Sequence, residues 1–166
     1  MQLDGIHHLA LAMRDLKEAE AFYTRVLGGE VVRRIGAAEG GRAAGRVPQV
    51  WVRVGGVTFA LNGSTPEVPK GHFVHWGLKG RFEDLDGWLA AFRREGIKHY
   101  GPYGHGGTNS VSLYCHDPAG YLFEIGMDAG SWERAKAEVK RRGGLFGSTE
   151  ATYDPDEWER ANLKKA

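Results

Sequence analysis

The chain carries the same pattern twice, and a repeated unit fixes most of what a sequence of this length can fold into. The first copy opens with Ile6-His7-His8-Leu9-Ala10-Leu11-Ala12, passes Asp15-Leu16 and closes a helical pattern at Leu27-Gly28. The second opens with Phe73-Val74-His75-Trp76-Gly77-Leu78, passes Asp84-Leu85 and closes its helical pattern at Glu95-Gly96. The interval from histidine to terminal glycine differs by one residue between the copies. Asp15, with Glu18 three residues on, predicts a helix start, and Leu16, Ala19, Phe22, Tyr23, Val26 and Leu27 fall on one helical face. Leu85, Trp88, Leu89 and Phe92 repeat that face, and Gly28 and Gly96 are the expected stops.

Three strand signals follow each helix. They are Val31 to Ile35, Gln49 to Val54 and Val57 to Leu61 in the first copy, the last two joined at Gly55-Gly56. In the second they are Ile97 to Tyr100, Ser110 to Cys115 and Tyr121 to Ile125, the last two joined through Asp117-Pro118-Ala119-Gly120. Strand, helix and three strands, taken twice, predict an α+β fold of two βαβββ modules in a cupped mixed sheet, since each apolar helix face must pack on a sheet. The expected organisation is one domain, with module one at about 5–61, a linker at 62–71, module two at about 72–127 and a helical extension at 128–166. Within that extension helices are predicted from Ser131 to Arg142 and from Asp154-Pro155 onward.

Composition narrows the function. Twenty-two basic residues against 21 acidic ones leave a net charge of +1, which argues against nucleic acid as a partner. No stretch approaches the roughly 18 consecutive apolar residues of a membrane span, and the start lacks signal-peptide character, so a cytoplasmic protein is expected. The one cysteine, Cys115, excludes an internal disulfide and reads as a small packed hydrophobe. Seven histidines are left to explain.

His8-Leu9-Ala10-Leu11, Asp15-Leu16, Phe22-Tyr23, Leu27-Gly28, His75 and Asp117-Pro118-Ala119-Gly120-Tyr121-Leu122-Phe123-Glu124 together resemble the vicinal oxygen chelate superfamily over about residues 5 to 127. That group includes glyoxalase I, methylmalonyl-CoA epimerase, fosfomycin-resistance enzymes, bleomycin-binding proteins and extradiol catechol dioxygenases. The resemblance implies metal ligands on the first and last strands of each unit, which selects His8, His75 and Glu124. Glu124 lies four residues after Gly120, and the matching position after Gly56 is Ala60, which cannot bind a metal. Four-ligand members are therefore disfavoured. Two imidazoles and a carboxylate with open positions are the ligand set of non-haem Fe(II) oxygenases.

Tyr114 precedes Glu124 by ten positions and His105 precedes Tyr114 by nine, a spacing similar to that of small type I extradiol dioxygenases, where the matching pair lines the pocket beside the iron. Strand parity puts Ser112 on the same face as Tyr114 and Leu113 and Cys115 on the other. Read by position alone, His105 is as compatible with a glycine-rich loop as with catalysis, and Tyr114 with a core aromatic. The further acid/base histidine of larger ring-cleaving members has no match in Val57 to Leu61; His72 and His99 are substitutes without a motif. Five arginines, Arg33, Arg34, Arg42, Arg46 and Arg53, meet one acid, Glu39, between residues 31 and 53, which suits either an anionic substrate or a solvated loop.

The resemblance thus implies an Fe(II)-dependent extradiol dioxygenase acting on a catechol-like substrate, L-DOPA being one instance, with dioxygen as co-substrate and a homodimer as the assembly. Two other readings stay open. One is a fosfomycin-resistance-like transferase or hydrolase using Mn(II) on the same ligands; the other is a metal-free protein that binds a planar drug between aromatics such as Trp51, Trp76 and Tyr103.

Overall fold

The computed structural model describes residues 5–36, 47–68, 74–106 and 108–147, which divide into two compact units. The first comprises the described part of 1–68 together with Asp117–Gly120; the second comprises the other described residues. Glu39, Arg42, Arg46, His72 and the helix expected from Asp154 lie outside the described residues.

In the first unit β1 (Leu9–Met13) leads to α1 (Leu16–Ala21), then β2 (Glu30–Ile35), β3 (Gln49–Val54) and β4 (Val57–Gly63). Asp15 caps α1 as expected, its Oδ1 accepting from the backbone N–H groups of Lys17 at 2.8 Å and Glu18 at 2.9 Å. The helical run does not continue as one α-helix. Phe22–Val26 forms a wider π-helical turn, closed by Leu27 N–H donating to the Phe22 carbonyl, and this puts Phe22, Tyr23, Val26 and Leu27 all into the core. Gly28 then ends it at a φ of +67°, a conformation that only glycine adopts readily.

The sheet order is β1-β4-β3-β2, with β1 parallel to β4 and the other pairs antiparallel. Alternation sorts its side chains: Leu11, Met13, Val50, Val52, Phe59 and Leu61 are buried, and Tyr23 rests on Phe59 with ring centroids 5.1 Å apart, so this is the face that α1 covers. Burying each such side chain contributes about 1.5–3 kcal/mol, enough to fix the register. Gln49, Trp51, Ala60 and Asn62 lie on the opposite face.

The second unit repeats the design with β5 (Trp76–Gly80), α2 (Leu85–Arg94), β6 (His99–His105), β7 (Ser110–His116) and β8 (Leu122–Asp128), followed by α3 (Trp132–Arg141) and β9 (Leu145–Gly147). The order is β5-β8-β7-β6-β9, with β5 parallel to β8. Val111, Leu113, Cys115, Phe123, Ile125 and Met127 form the buried face. Gly96 ends α2 with a φ of +65°, matching Gly28.

Three features go beyond the sequence reading. The β6 strand reaches to His105 rather than stopping at Tyr100, so His105 sits on a strand and not in a loop. β9, which was not expected, pairs parallel with β6 after α3. Each unit also carries a β-bulge, between Val31 and Arg33 in β2 and between Tyr100 and Tyr103 in β6. Among the described residues no helix is long and apolar enough to cross a membrane.

Candidate active site

Register makes the internal repeat quantitative. Ala10 pairs with Ala60 across β1 and β4, and Gly77 pairs with Glu124 across β5 and β8. Each expected histidine ligand stands two residues before the first member of its pair, so His8 relates to Ala60 as His75 relates to Glu124. One strand further, Trp51 pairs with Ala60 and Tyr114 pairs with Glu124. The two sheets thus present equivalent positions, but the acidic donor and the phenol occur only in the second.

In the second unit the polar groups converge on Glu124. His75 Nε2 lies 2.7 Å from Glu124 Oε2. Ser112, fully buried, donates its hydroxyl to Glu124 Oε1 at 2.5 Å. His105 Nε2 lies 3.0 Å from Ser112 Oγ, 3.2 Å from the Tyr114 hydroxyl and 3.6 Å from Glu124 Oε1.

The bulge in β6 produces this arrangement. Tyr100 pairs with Tyr114 and Tyr103 with Ser112, so three steps on β6 match two on β7. The extra residue, in Gly101-Pro102, turns Tyr103 and His105 to the face of Ser112 and Tyr114.

Burial alone would raise the Glu124 carboxyl, but the nearby His105, the hydrogen bond from Ser112, the His75 imidazole and the Tyr114 hydroxyl outweigh it and hold the pKa at about 2. Glu124 is therefore an acceptor-only carboxylate at neutral pH. Burial, followed by the Glu124 charge, drives the Tyr114 hydroxyl far above the usual phenol range, so it stays protonated and serves as a donor.

His8 belongs to the first unit, where it is exposed; its Nδ1 is 2.8 Å from His7 Nδ1 and its ring is 4.9 Å from Trp51. Among the described residues no three His, Cys, Asp or Glu side chains form a ligand group. The donor set nevertheless fits a divalent metal: an imidazole nitrogen and an ionised carboxylate meet at 2.7 Å, and both are ligand types suited to Fe(II) or Mn(II).

Other candidates fall elsewhere. His99 pairs with Cys115 and lies beside Phe92, with ring centroids 5.2 Å apart, on the helix-covered face and so away from Tyr114. Trp76 pairs with Phe123, also on that face, opposite to Tyr103. Arg34 and Arg53 are engaged by Glu20 and Glu30, each at 2.7 Å, whereas Arg33 pairs in register with Trp51 and makes no salt bridge among the described residues. Sequence reasoning gave Ser112 no role, although its parity with Tyr114 was readable; only the fold shows that its hydroxyl bridges His105 and Glu124.

Two mixed sheets built from repeated βαβββ units, with His75 just ahead of β5 meeting Glu124 on the adjacent parallel β8, define the glyoxalase class of fold. The chain belongs to the Glyoxalase/Bleomycin resistance protein/Dioxygenase superfamily, whose sequence pattern matches residues 5–125. Solved structures with the same fold include the fosfomycin resistance protein FosX from Listeria monocytogenes complexed with Mn(II) and sulfate. It has a TM-score of 0.61 and 16% identity, over 76% of this chain and 93% of that one. FosX from Mesorhizobium loti aligns with a TM-score of 0.61 and 15% identity, over 82% and 99% of the two chains. An integron cassette protein from the mobile metagenome of the Halifax Harbour sewage outfall aligns with a TM-score of 0.55 and 21% identity, over 75% and 99%.

Proposed function

We propose that this member of the superfamily is an extradiol dioxygenase that opens a catechol-like ring with dioxygen, using a metal with His75 and Glu124 among its ligands. The observation that supports this reading is His105 Nε2 standing 3.2 Å from the Tyr114 hydroxyl and 3.6 Å from Glu124, an acid/base group and a phenol donor beside a carboxylate ligand.

In this reading Fe(II), when bound, supplies a Lewis acid and a redox partner for dioxygen. The chain's own groups do the rest. Tyr114, kept protonated, donates a hydrogen bond to a substrate oxygen, and His105 takes up and returns a proton as the ring opens. One ring carbon–carbon bond breaks and both atoms of dioxygen enter the product, so no external reductant is needed. The partners are a small aromatic substrate and dioxygen, and the assembly is a homodimer.

The test is anaerobic loading with Fe(II) followed by an oxygen-electrode screen of catechols. The expected result is catechol-dependent oxygen uptake with one dioxygen consumed per ring opened. Iron retention without uptake for any catechol would sink the reaction assignment and leave the fold untouched.

A second reading draws on the FosX likeness: a Mn(II) enzyme acting on an epoxide-bearing phosphonate, with Arg33, on the face of Trp51, available for an anion. Turnover of fosfomycin under Mn(II), without oxygen uptake under Fe(II), would select it. Failure to retain either metal would favour drug binding.

A further inference from the structure

We infer that the cavity at the Gln49 and Asn62 end of the first sheet is a binding subsite for a neutral primary amide or lactam edge, read by a donor on Gln49 and an acceptor on Asn62. The site lies wholly within the first unit and does not rest on the dioxygenase reading.

The cavity measures about 520 Å³ and is lined by Ile35, Val47, Gln49, Asn62 and Ser64. That volume is within the roughly 300–1,000 Å³ of small-molecule sites. Register explains the lining: Ile35 pairs with Gln49 across β2 and β3, and Gln49 pairs with Asn62 across β3 and β4, so three neighbouring strands bring these residues together. The rim is tied down. Gly63 N–H donates to the Pro48 carbonyl and Ser64 N–H to the Asn62 carbonyl, each at 2.8 Å, and Gly36 packs so closely on Pro48 that a Cβ there would lie 3.1 Å from its Cα. The cavity is therefore formed before a ligand arrives, which lowers the cost of binding.

The polarity of the two amides is fixed by partners that have no choice of role. Trp51 Nε1 can only donate, so the Gln49 atom 2.8 Å from it is the amide oxygen, and the Gln49 NH₂ is left over. Backbone carbonyls can only accept, so the Asn62 atom 3.1 Å from the Ala60 carbonyl and 3.5 Å from the Leu11 carbonyl is the NH₂, and the Asn62 oxygen is left over. Neither leftover group makes a hydrogen bond among the described residues. A donor and an acceptor thus stand on register partners, whose Cβ atoms lie about 4.5–5.5 Å apart in an antiparallel pair.

An amide with its N–H on the same side as its C=O matches this pair, the C=O accepting from Gln49 and the N–H donating to Asn62. A carboxylate does not, because its second oxygen would meet the Asn62 oxygen with no proton between them. Among the described residues the lining holds no ionisable side chain, and Arg33 pairs with Trp51 outside it. Ile35 and Val47 offer apolar contact to the carbon skeleton beside the amide.

The test is nitrogen-15 NMR of the full, metal-free chain titrated with 2-pyrrolidinone, cyclopentanone and propionate, read at the Trp51 indole N–H. That group reports on the site because its acceptor is the Gln49 oxygen, and a hydrogen bond at one end of an amide polarises the other. 2-Pyrrolidinone is expected to shift it saturably, and cyclopentanone, the same ring and carbonyl without an N–H, to bind about tenfold more weakly. Equal affinity for the two, no saturable shift with 2-pyrrolidinone, or tighter binding of propionate would overturn the inference in the wild-type chain, before any variant is made. Gln49→Glu keeps an oxygen for Trp51 and replaces the donor with an acceptor, so lactam affinity should fall about tenfold while the backbone spectrum persists. Unchanged affinity in that variant would overturn the assignment to Gln49. Oxygen uptake is not read in these titrations, so their failure and failure of the dioxygenase reading are distinguishable.

Discussion

Ala60 occupies in the first sheet the register position that Glu124 occupies in the second, each opposite the residue two places after an expected histidine ligand. The repeat therefore supplies two histidines but only one carboxylate. Glu124→Ala makes the second sheet match the first, and divalent-metal affinity is expected to fall by about 100-fold or more, since changing even an outer partner of a ligand costs about 10–100-fold. Titration calorimetry with Mn(II) checks this; affinity within twofold of wild type would remove Glu124 from the ligand set.

Tyr114→Phe keeps the ring, which packs with Tyr100, Leu122 and Tyr103, and removes only the donor. Stability is expected to hold while kcat falls by about 10²-fold, in the range for losing one preorganised donor. His105→Asn should lower kcat by about 10²–10⁴-fold, the contribution of a positioned acid/base group. Steady-state oxygen uptake by the Fe(II)-loaded chain reads both. Unchanged kcat in both variants would exclude the pair from the chemistry.

His99 predicts a pH dependence of stability. Burial against Phe92 is the main cause holding its pKa below the ordinary histidine value, and nearby Arg93 adds to it, while a hydrogen bond to the Ile97 carbonyl opposes both. The unfolded chain then binds this proton more readily than the folded one, so the site costs nothing above the unfolded value of about 6.5. The cost sets in as pH falls through that value and is complete below the lowered folded value. Urea denaturation at pH 7.5 and pH 5 should show a smaller loss for His99→Gln than for wild type. Equal losses would place the pH dependence elsewhere.

Tyr23 donates to Asp117 Oδ2 at 2.9 Å, and Asp117 Oδ1 accepts from Ala119 N–H at 2.9 Å, anchoring the Asp117–Gly120 turn within the first unit. Tyr23→Phe withdraws a hydrogen bond from a carboxylate that is 4% exposed, with an expected loss of about 1–3 kcal/mol. A denaturation midpoint unchanged from wild type would show that other contacts hold the turn.

The sequence by itself determined the doubled βαβββ plan, because helical and strand periodicities are local properties and Asp15, Gly28 and Gly96 act within a few residues of where they stand. It also determined that position 60 lacks a metal donor, since a repeat can be counted without a structure. The π-helical turn at Phe22–Val26 was not legible, because it leaves the same apolar residues on the same face. Nor was β9, a three-residue strand whose formation depends on β6 being present to pair with it. The convergence on Glu124 was decided by tertiary structure. One extra residue in the Gly101-Pro102 bulge turns His105 to the face of Tyr114, and a side-chain period of two makes that single residue the difference between a histidine on the helix-covered face and a partner of Ser112.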